Sequence, residues 1–267
     1  MSFENPVMEN LMTRASVRRF TDEEIPDELI GKIVRAGQQA PFTGQMYSVI
    51  VTKDPAIREK MTQFFGPLPK LGTVFMLICV DFARLERFIA TKGRTNSYDD
   101  QWMMILGIQD ASYFGQNMVT AAESLGIGSV FLGQAPWLTA EFREIFELPD
   151  RVWPMVGLVM GYKAEQPKAR PRIPVETVLH WDKYQELSDA EIESALEVMD
   201  AGLIREGYYS SQNAKVRLRG DQEDIVDFDR YGWGEHISRK YSQGGLSAKE
   251  RGQDISSILE MQGLKLH

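Results

Sequence analysis

Between Asp99 and Leu125 the sequence places apolar residues on most sides of a helical wheel, among them Trp102, Met103, Ile105, Leu106, Phe114, Met118 and Leu125. A helix that is hydrophobic nearly all round belongs in a core or in a subunit interface. The rest of the chain must therefore supply the surface that covers it. Gly126 is placed to end the helix as a C′ glycine. Membrane insertion does not answer the demand, because the longest apolar run, Val74 to Val80, is far short of the ~20 residues that a span needs. With 267 residues, 43% of them hydrophobic and 25% charged, the chain has enough material to bury a sizeable core without covalent staples. Its single cysteine, Cys79, excludes an intrachain disulfide and a thiolate metal cage.

Helical and extended patterns alternate around this segment. Residues 5–13 have helical character, and Pro26-Asp27-Glu28 opens a helix with Leu29, Ile30, Ile33 and Val34 at helical spacing, stopped by Pro41. Four stretches read as strands: Val49–Thr52, Val74–Val80, Ser129–Leu132 and Val156–Met160. Lys163 to Pro174, with three prolines and four basic residues, reads as an ordered connector. Ser188-Asp189-Ala190-Glu191 is a capping box that starts a helix towards Arg205, and a terminal helix is expected from about Ala248 to Met261. The pattern predicts one α+β domain over residues 1–187 and a helical C-terminal extension over 188–267, with an exposed, mixed-charge loop at about 212–233.

A formal charge of −8, from 30 Lys and Arg against 38 Asp and Glu, disfavours nucleic acid as the main partner. The N-terminal Met1-Ser2-Phe3-Glu4-Asn5-Pro6 has neither a basic region nor an apolar run, so the expectation is a mature cytoplasmic chain with no membrane association. Gly126-Ile127-Gly128 imitates the start of a dinucleotide fingerprint. Phe131 takes the place of the third glycine, however, and the motif follows a helix where it should follow a strand. His180, His236 and His267 lack metal-ligand spacing and read as surface or capping residues, so no metal site is expected. Cys79, inside an apolar strand, reads as an inert small hydrophobe. Two basic clusters remain. In extended chain Arg14, Ser16 and Arg18 share one face, as do Arg170 and Arg172. Guanidinium groups bind phosphate bidentately and stay charged at any working pH. Two readings stay open here: a pocket for one or two phosphates, or solvated surface charge, which spacing alone favours.

Arg14-Ala15-Ser16-Val17-Arg18-Arg19-Phe20 resembles the R-x-S-x-[RK]-x-F signature of the FMN-dependent nitroreductase family. Ala40-Pro41-Phe42-Thr43-Gly44-Gln45 is similar to its A-P-S-x-x-N loop, and Glu123 to Val130 to its E-x-x-G-L-G helix–strand junction. Pro171-Arg172-Ile173-Pro174, with Arg170 before it, resembles the P-R-x-P connector of the large NADPH-linked nitroreductase and flavin reductase subgroup. Trp233-Gly234-Glu235-His236-Ile237 is similar to that subgroup's W-x-x-x-I element. The matches occur in the family's order over nearly the whole chain.

The resemblance implies a mixed, mainly antiparallel sheet flanked by helices, in a homodimer that builds each FMN site from two subunits. It implies that Arg14 holds the FMN phosphate, that Ser16 holds the phosphate or ribityl end, and that Arg18 lies near the N1–O2 edge, where positive charge favours the anionic reduced flavin. Ala40, Pro41 and Phe42 would border the ring and ribityl chain, and Gln45, in the family's Asn place, would reach across the dimer. Phe131, Leu132, Gly133 and Gln134 would line the opposite ring face, although Phe131 and Leu132 read equally well as core. Arg170 and Arg172 would complete the phosphate clamp. The implied activity is ping-pong transfer of hydride equivalents from NAD(P)H to a nitroaromatic, a quinone or free flavin, without a catalytic side chain.

Three departures bear on substrate. Phe42 replaces the family's serine. The glutamine that contacts the pyrimidine edge has no counterpart in Gly66–Lys70. The arginine expected after Tyr208-Tyr209 is missing, with Lys215, Arg217 and Arg219 as possible substitutes. A specialised reductive dehalogenase or enone reductase on the same fold, and a flavin-binding sensor or carrier, are the rival readings.

Overall fold

The computed structural model describes residues 5–218, 225–242 and 254–265. The first elements are α1 (Pro6–Thr13), α2 (Asp27–Gly37), β1 (Tyr47–Thr52), α3 (Pro55–Phe65) and α4 (Leu68–Leu71). They are followed by β2 (Val74–Asp81), α5 (Phe82–Ala90), α6 (Asp100–Ser124), β3 (Ile127–Leu132), α7 (Thr139–Ile145) and β4 (Val152–Tyr162). After the connector come α8 (Asp189–Arg205), α9 (Trp233–Tyr241) and α10 (Ile255–Met261). Helix α10 is described from Ile255, and residues 248–253 of the expected terminal helix lie outside the described residues.

The four strands form a sheet in the order β1-β2-β4-β3, and every described pairing is antiparallel. Strand β2 is buried along its whole length because both faces of the sheet are covered. Val74, Met76, Ile78 and Val80 point to a core shared with Ile30 and Ile33 of α2 and with Phe114 and Met118 of α6. Phe75, Leu77 and Cys79 point to the opposite core, with Met61 and Phe65 of α3 and Phe142 of α7. Burial pushes the Cys79 thiol far above its ordinary value, so it remains an uncharged hydrophobe. The β2–β4 register shifts between Ile78 and Cys79, opposite Pro154; proline, with no N–H to give the ladder, is accommodated at such an irregularity.

Helix α6 is fixed at both ends by its own sequence. The Asp99 carboxylate accepts from the N–H groups of Gln101 and Trp102, and Gly126, at φ +76°, leaves the helix in the left-handed region. Gly37 lets α2 approach closely: a Cβ there would lie 2.6 Å from Met118 Cγ. One side of α6 is buried through Met103, Met104, Gly107, Ala111, Phe114 and Met118. The other exposes Trp102, Ile105, Ile108 and Tyr113.

The chain divides into two compact units, residues 1–168 with 254–267 and residues 169–253. The division falls ahead of the 187/188 boundary that composition suggests, because the connector packs against elements C-terminal to it. Pro171 lies against Gly202 of α8, and Ile173 joins the cluster of Met199, Leu203, Tyr209 and Tyr231. Tyr231 is buried, so the 212–233 stretch is not wholly exposed as expected; its hydroxyl accepts from Val216 N–H at 2.9 Å. Helix α10 returns to the first unit, where Ile258 and Leu259 enter the α2–α6 core. There Arg151 N–H donates to Gln262 O at 2.8 Å, and Lys265 N–H to Asp100 Oδ2 at 2.9 Å. No helix among the described residues is long and apolar enough to cross a membrane.

Candidate functional site

Past α1 the chain runs extended, and the alternation expected of Arg14 to Arg18 is visible in burial. Ala15 and Val17 are buried, while Arg14, Ser16 and Arg18 are half-buried on the other side. Val17 N–H donates to Ser129 O of β3 at 3.0 Å, and Thr21 N–H to Tyr162 O of β4 at 2.9 Å, which lays the segment beside the sheet. Glu165 fixes it further: its Oε1 accepts from the N–H groups of Arg18 at 2.7 Å and Arg19 at 3.0 Å. Among the described residues no carboxylate pairs with Arg14 or Arg18; the Arg18 guanidinium donates only to Ser16 O, at 3.4 Å. Two half-buried guanidinium groups without counter-charge, beside a serine hydroxyl, are a donor set suited to an anion.

The Ala40–Gln45 segment joins α2 to β1. Ala40 is buried, whereas Pro41, Phe42 and Gln45 are exposed. The loop owes its shape to Asp110 in the middle of α6. Asp110, 1% exposed, accepts from the N–H groups of Thr43 (2.6 Å), Gly44 (2.9 Å) and Met46 (3.1 Å). Gln45 lies at φ +49°, and its carbonyl accepts from the Arg84 guanidinium at 2.6 Å. Nearby, Tyr47 stacks on Phe114 with ring centroids 4.3 Å apart, and its phenol is pushed up, first by burial and then by the Asp110 charge.

At the end of β3, Leu132 is buried and packs into the α3–α7 core. Phe131 instead faces α6 at Gly115 and lines an apolar groove of about 440 Å³ with Ile108, Ser112, Gln116 and Met155. Gly133 and Gln134 are exposed.

Helix α6 links these segments in order. Asp110 holds the 43–46 loop, Gly115 abuts Phe131, and Thr120 O accepts from the Asn10 side chain of α1 at 3.1 Å. Glu123 then pairs with Lys163, where the connector begins. From Asp110 to Thr120 this is about 15 Å of helix at 1.5 Å per residue. The sequence alone points to the arginines and the loop, but not to Asp110 or Glu165. A signal for the first exists, since Asp110 is the lone acidic residue between Gln101 and Ala122 of an apolar helix. Its partners are set by tertiary structure.

Arg170 and Arg172 belong to the second unit. The Arg170 guanidinium lies over the Tyr208 ring, its carbon 3.8 Å from the centroid, with Nη1 buried and without a hydrogen-bond partner among the described residues. Arg172 Nη1 donates to Pro171 O at 2.9 Å and Arg170 O at 3.1 Å. Tyr209 and His236 stack at 4.7 Å in the same unit, and burial, followed by the Lys240 charge, pulls the His236 imidazole below its ordinary value. Of the basic residues that come after Tyr208-Tyr209, Arg217 is exposed, while Arg219 lies outside the described residues.

The fold and this geometry define an α+β protein with an antiparallel sheet, a spine helix, an apolar groove on that helix, and half-buried guanidinium groups that pair with no carboxylate among the described residues. Residues 11–70 and 68–162 match the model of the nitroreductase family. An FMN reductase [NAD(P)H] of Bacillus subtilis is 34% identical over 255 residues, covering 92% of this chain and 100% of its own length. An oxygen-insensitive NADPH nitroreductase of Salmonella typhimurium is 30% identical over 239 residues, 88% of this chain and 90% of its own. The solved structure of a hypothetical oxidoreductase, YcnD, from Bacillus subtilis superposes with a TM-score of 0.81 at 28% identity, covering 98% of this chain and 99% of that one. The chain belongs to the nitroreductase family.

Proposed function

We propose that this protein is a cytoplasmic, homodimeric FMN-dependent oxidoreductase that passes hydride equivalents from NAD(P)H to a flat, electron-poor acceptor such as a nitroaromatic, a quinone or free flavin. The observation that carries this reading is the extended Arg14–Arg18 segment, whose guanidinium groups have no carboxylate partner among the described residues and lie beside Ser16. Family membership gives that donor set its ligand. When bound, FMN supplies the redox chemistry, accepting a hydride equivalent from the nicotinamide and yielding it to the acceptor in a ping-pong sequence. The chain's own residues bind and orient. Arg14 would hold the phosphate and Ser16 the phosphate or ribityl end, and Arg18 would place positive charge at the pyrimidine edge. Ala40, Pro41, Phe42 and Gln45 would border the ring and ribityl chain on one side, with Phe131, Leu132, Gly133 and Gln134 along the other. Arg170 keeps a buried donor without a partner among the described residues, a property that suits a phosphate ligand, with Arg172 two residues on.

The dimer rests on α6. Trp102 is 58% exposed, Ile105 48% and Tyr113 47%, and apolar area of this extent on one helix face is characteristic of an interface. Nucleotide preference is expected to be weak. Gln212 replaces a charged side chain after the tyrosine pair, and exposed cations such as Arg217 contribute ~0–1 kcal/mol, so NADPH should exceed NADH by less than about tenfold in kcat/KM. Phe42, 55% exposed where the resemblance places serine, favours a narrower set of acceptors than a generalist takes.

Extraction and sedimentation of purified protein test the reading together. Stoichiometric FMN on a dimer is expected. FAD, a failure to bind FMN on reconstitution, or a stable flavin-loaded monomer would overturn it.

A further inference from the structure

Asp110 has no role in the helix that carries it. Aspartate is a poor residue for a helix interior, and a carboxylate 1% exposed is costly to bury unless its oxygens are fully partnered. No cation among the described residues pairs with it. Its partners are backbone dipoles: Oδ1 takes Thr43 N–H, and Oδ2 takes the N–H groups of Gly44 and Met46. Convergent N–H groups of this kind form the concavity with which backbones bind phosphate and other anions. Here the protein's own carboxylate fills it.

The carbonyl side of the loop is held independently. Arg84 donates to Gln45 O at 2.6 Å and to Tyr47 O, and is anchored by Ser48 Oγ at 3.1 Å. With N–H groups drawn to Asp110 and carbonyls drawn to Arg84, the backbone from Thr43 to Tyr47 is specified from two sides. That double hold keeps Gln45 in the left-handed region, at φ +49°, which a glutamine adopts only under such constraint.

We propose that Asp110 is a positioning residue that preforms the Pro41–Gln45 loop, fixing Phe42 and Gln45 before flavin or acceptor arrives. The inference rests on the reading of this loop as one wall of the flavin site. A preformed wall removes loop ordering from the free energy of binding. Asp110 itself touches neither flavin nor acceptor. Its effect passes through the backbone of residues 43–46.

Asp110→Asn tests this, since it preserves shape but offers one oxygen and turns an NH2 group toward at least one backbone N–H. In the flavin-free dimer, amide exchange at Thr43, Gly44 and Met46 should accelerate by about tenfold or more while strand β2 keeps its protection. FMN should bind about tenfold more weakly, and at saturating FMN the KM for a nitroaromatic should rise by a larger factor than kcat falls. Arg84→Gln, which releases the carbonyl side from a half-buried position, should move all three readouts in the same direction and serves if D110N does not fold. Wild-type exchange at residues 43–46, unchanged FMN affinity, or losses matched by equal acceleration in β2 would overturn the proposal; the last would make Asp110 a stability element only. FMN binding by the wild type is measured alongside. Its failure would remove the flavin reading and this inference with it, whereas failure in the exchange arm removes the inference alone.

Discussion

Two irregular segments carry most of the candidate flavin residues of the first unit, and each is gathered by one carboxylate that accepts neighbouring backbone N–H groups. Arg14–Phe20 is held by Glu165, whose side chain is 28% exposed, and Ala40–Met46 by Asp110, which is 1% exposed. The first segment also bonds to β3 and β4 as a strand would, so its geometry has several supports. The second depends on Asp110 and Arg84. Where a carboxylate is buried, water cannot replace it, and the segment that it holds is correspondingly sensitive.

That contrast can be broken most forcefully at Asp110. Asp110→Ala leaves three backbone donors without their acceptor, a loss of roughly 2–4 kcal/mol, and thermal unfolding should fall by roughly 5–15 °C. A change within error would mean that the loop has another acceptor. Next in size is Arg14→Ala. Removal of one charge-assisted contact of about 1.5–3 kcal/mol should weaken FMN roughly ten- to a hundredfold while leaving the melting temperature nearly unchanged. Titration of the apoprotein with FMN, read by flavin fluorescence, measures it.

Glu165→Gln sharpens the comparison from the other side. The part-exposed carboxylate shares its task with sheet-like bonds, so stability should fall by only about 1 kcal/mol, clearly less than at Asp110. Equal losses at the two positions would remove burial as the explanation. The smallest effect concerns a carboxylate that faces a cation as well as a backbone N–H. Asp100 accepts from Arg151 at 2.8 Å, and this hydrogen bond, ahead of the one from Lys265 N–H, lowers its pKa from 3.8. Its contribution is therefore full above that value and is lost as pH falls below it toward the lowered folded value. Amide exchange in helix α10 should accelerate on acidification below about pH 4, and Asp100→Asn should remove the pH dependence.

The same contrast explains how far the sequence alone could be read. The Arg14–Arg18 alternation is a local property of extended chain, so a period of two announces which side chains share a face. The C-terminal limit of α6 was legible for the same reason, through Gly126 past its end. Strand β2 was legible as a continuous apolar run. Asp110's partners were not legible, because 64 residues separate it from Met46 and no local pattern encodes that approach. Phe131 and Leu132 could not be told apart by composition; the pleat of β3 turns one to the groove and the other to the core. The division at residue 168 was hidden because Pro171 and Ile173 look like linker residues until Gly202 and Tyr231 supply their partners.

The central claim, that this chain carries hydride equivalents on FMN, is tested most directly by two successive anaerobic mixings of the flavin-loaded protein. NADPH or NADH should bleach the flavin absorbance stoichiometrically, and a nitroaromatic or free FMN added afterwards should restore it at a rate that depends on its concentration. Flavin that stays oxidised with both nucleotides, or reduced flavin that none of these acceptors reoxidises, would contradict the account.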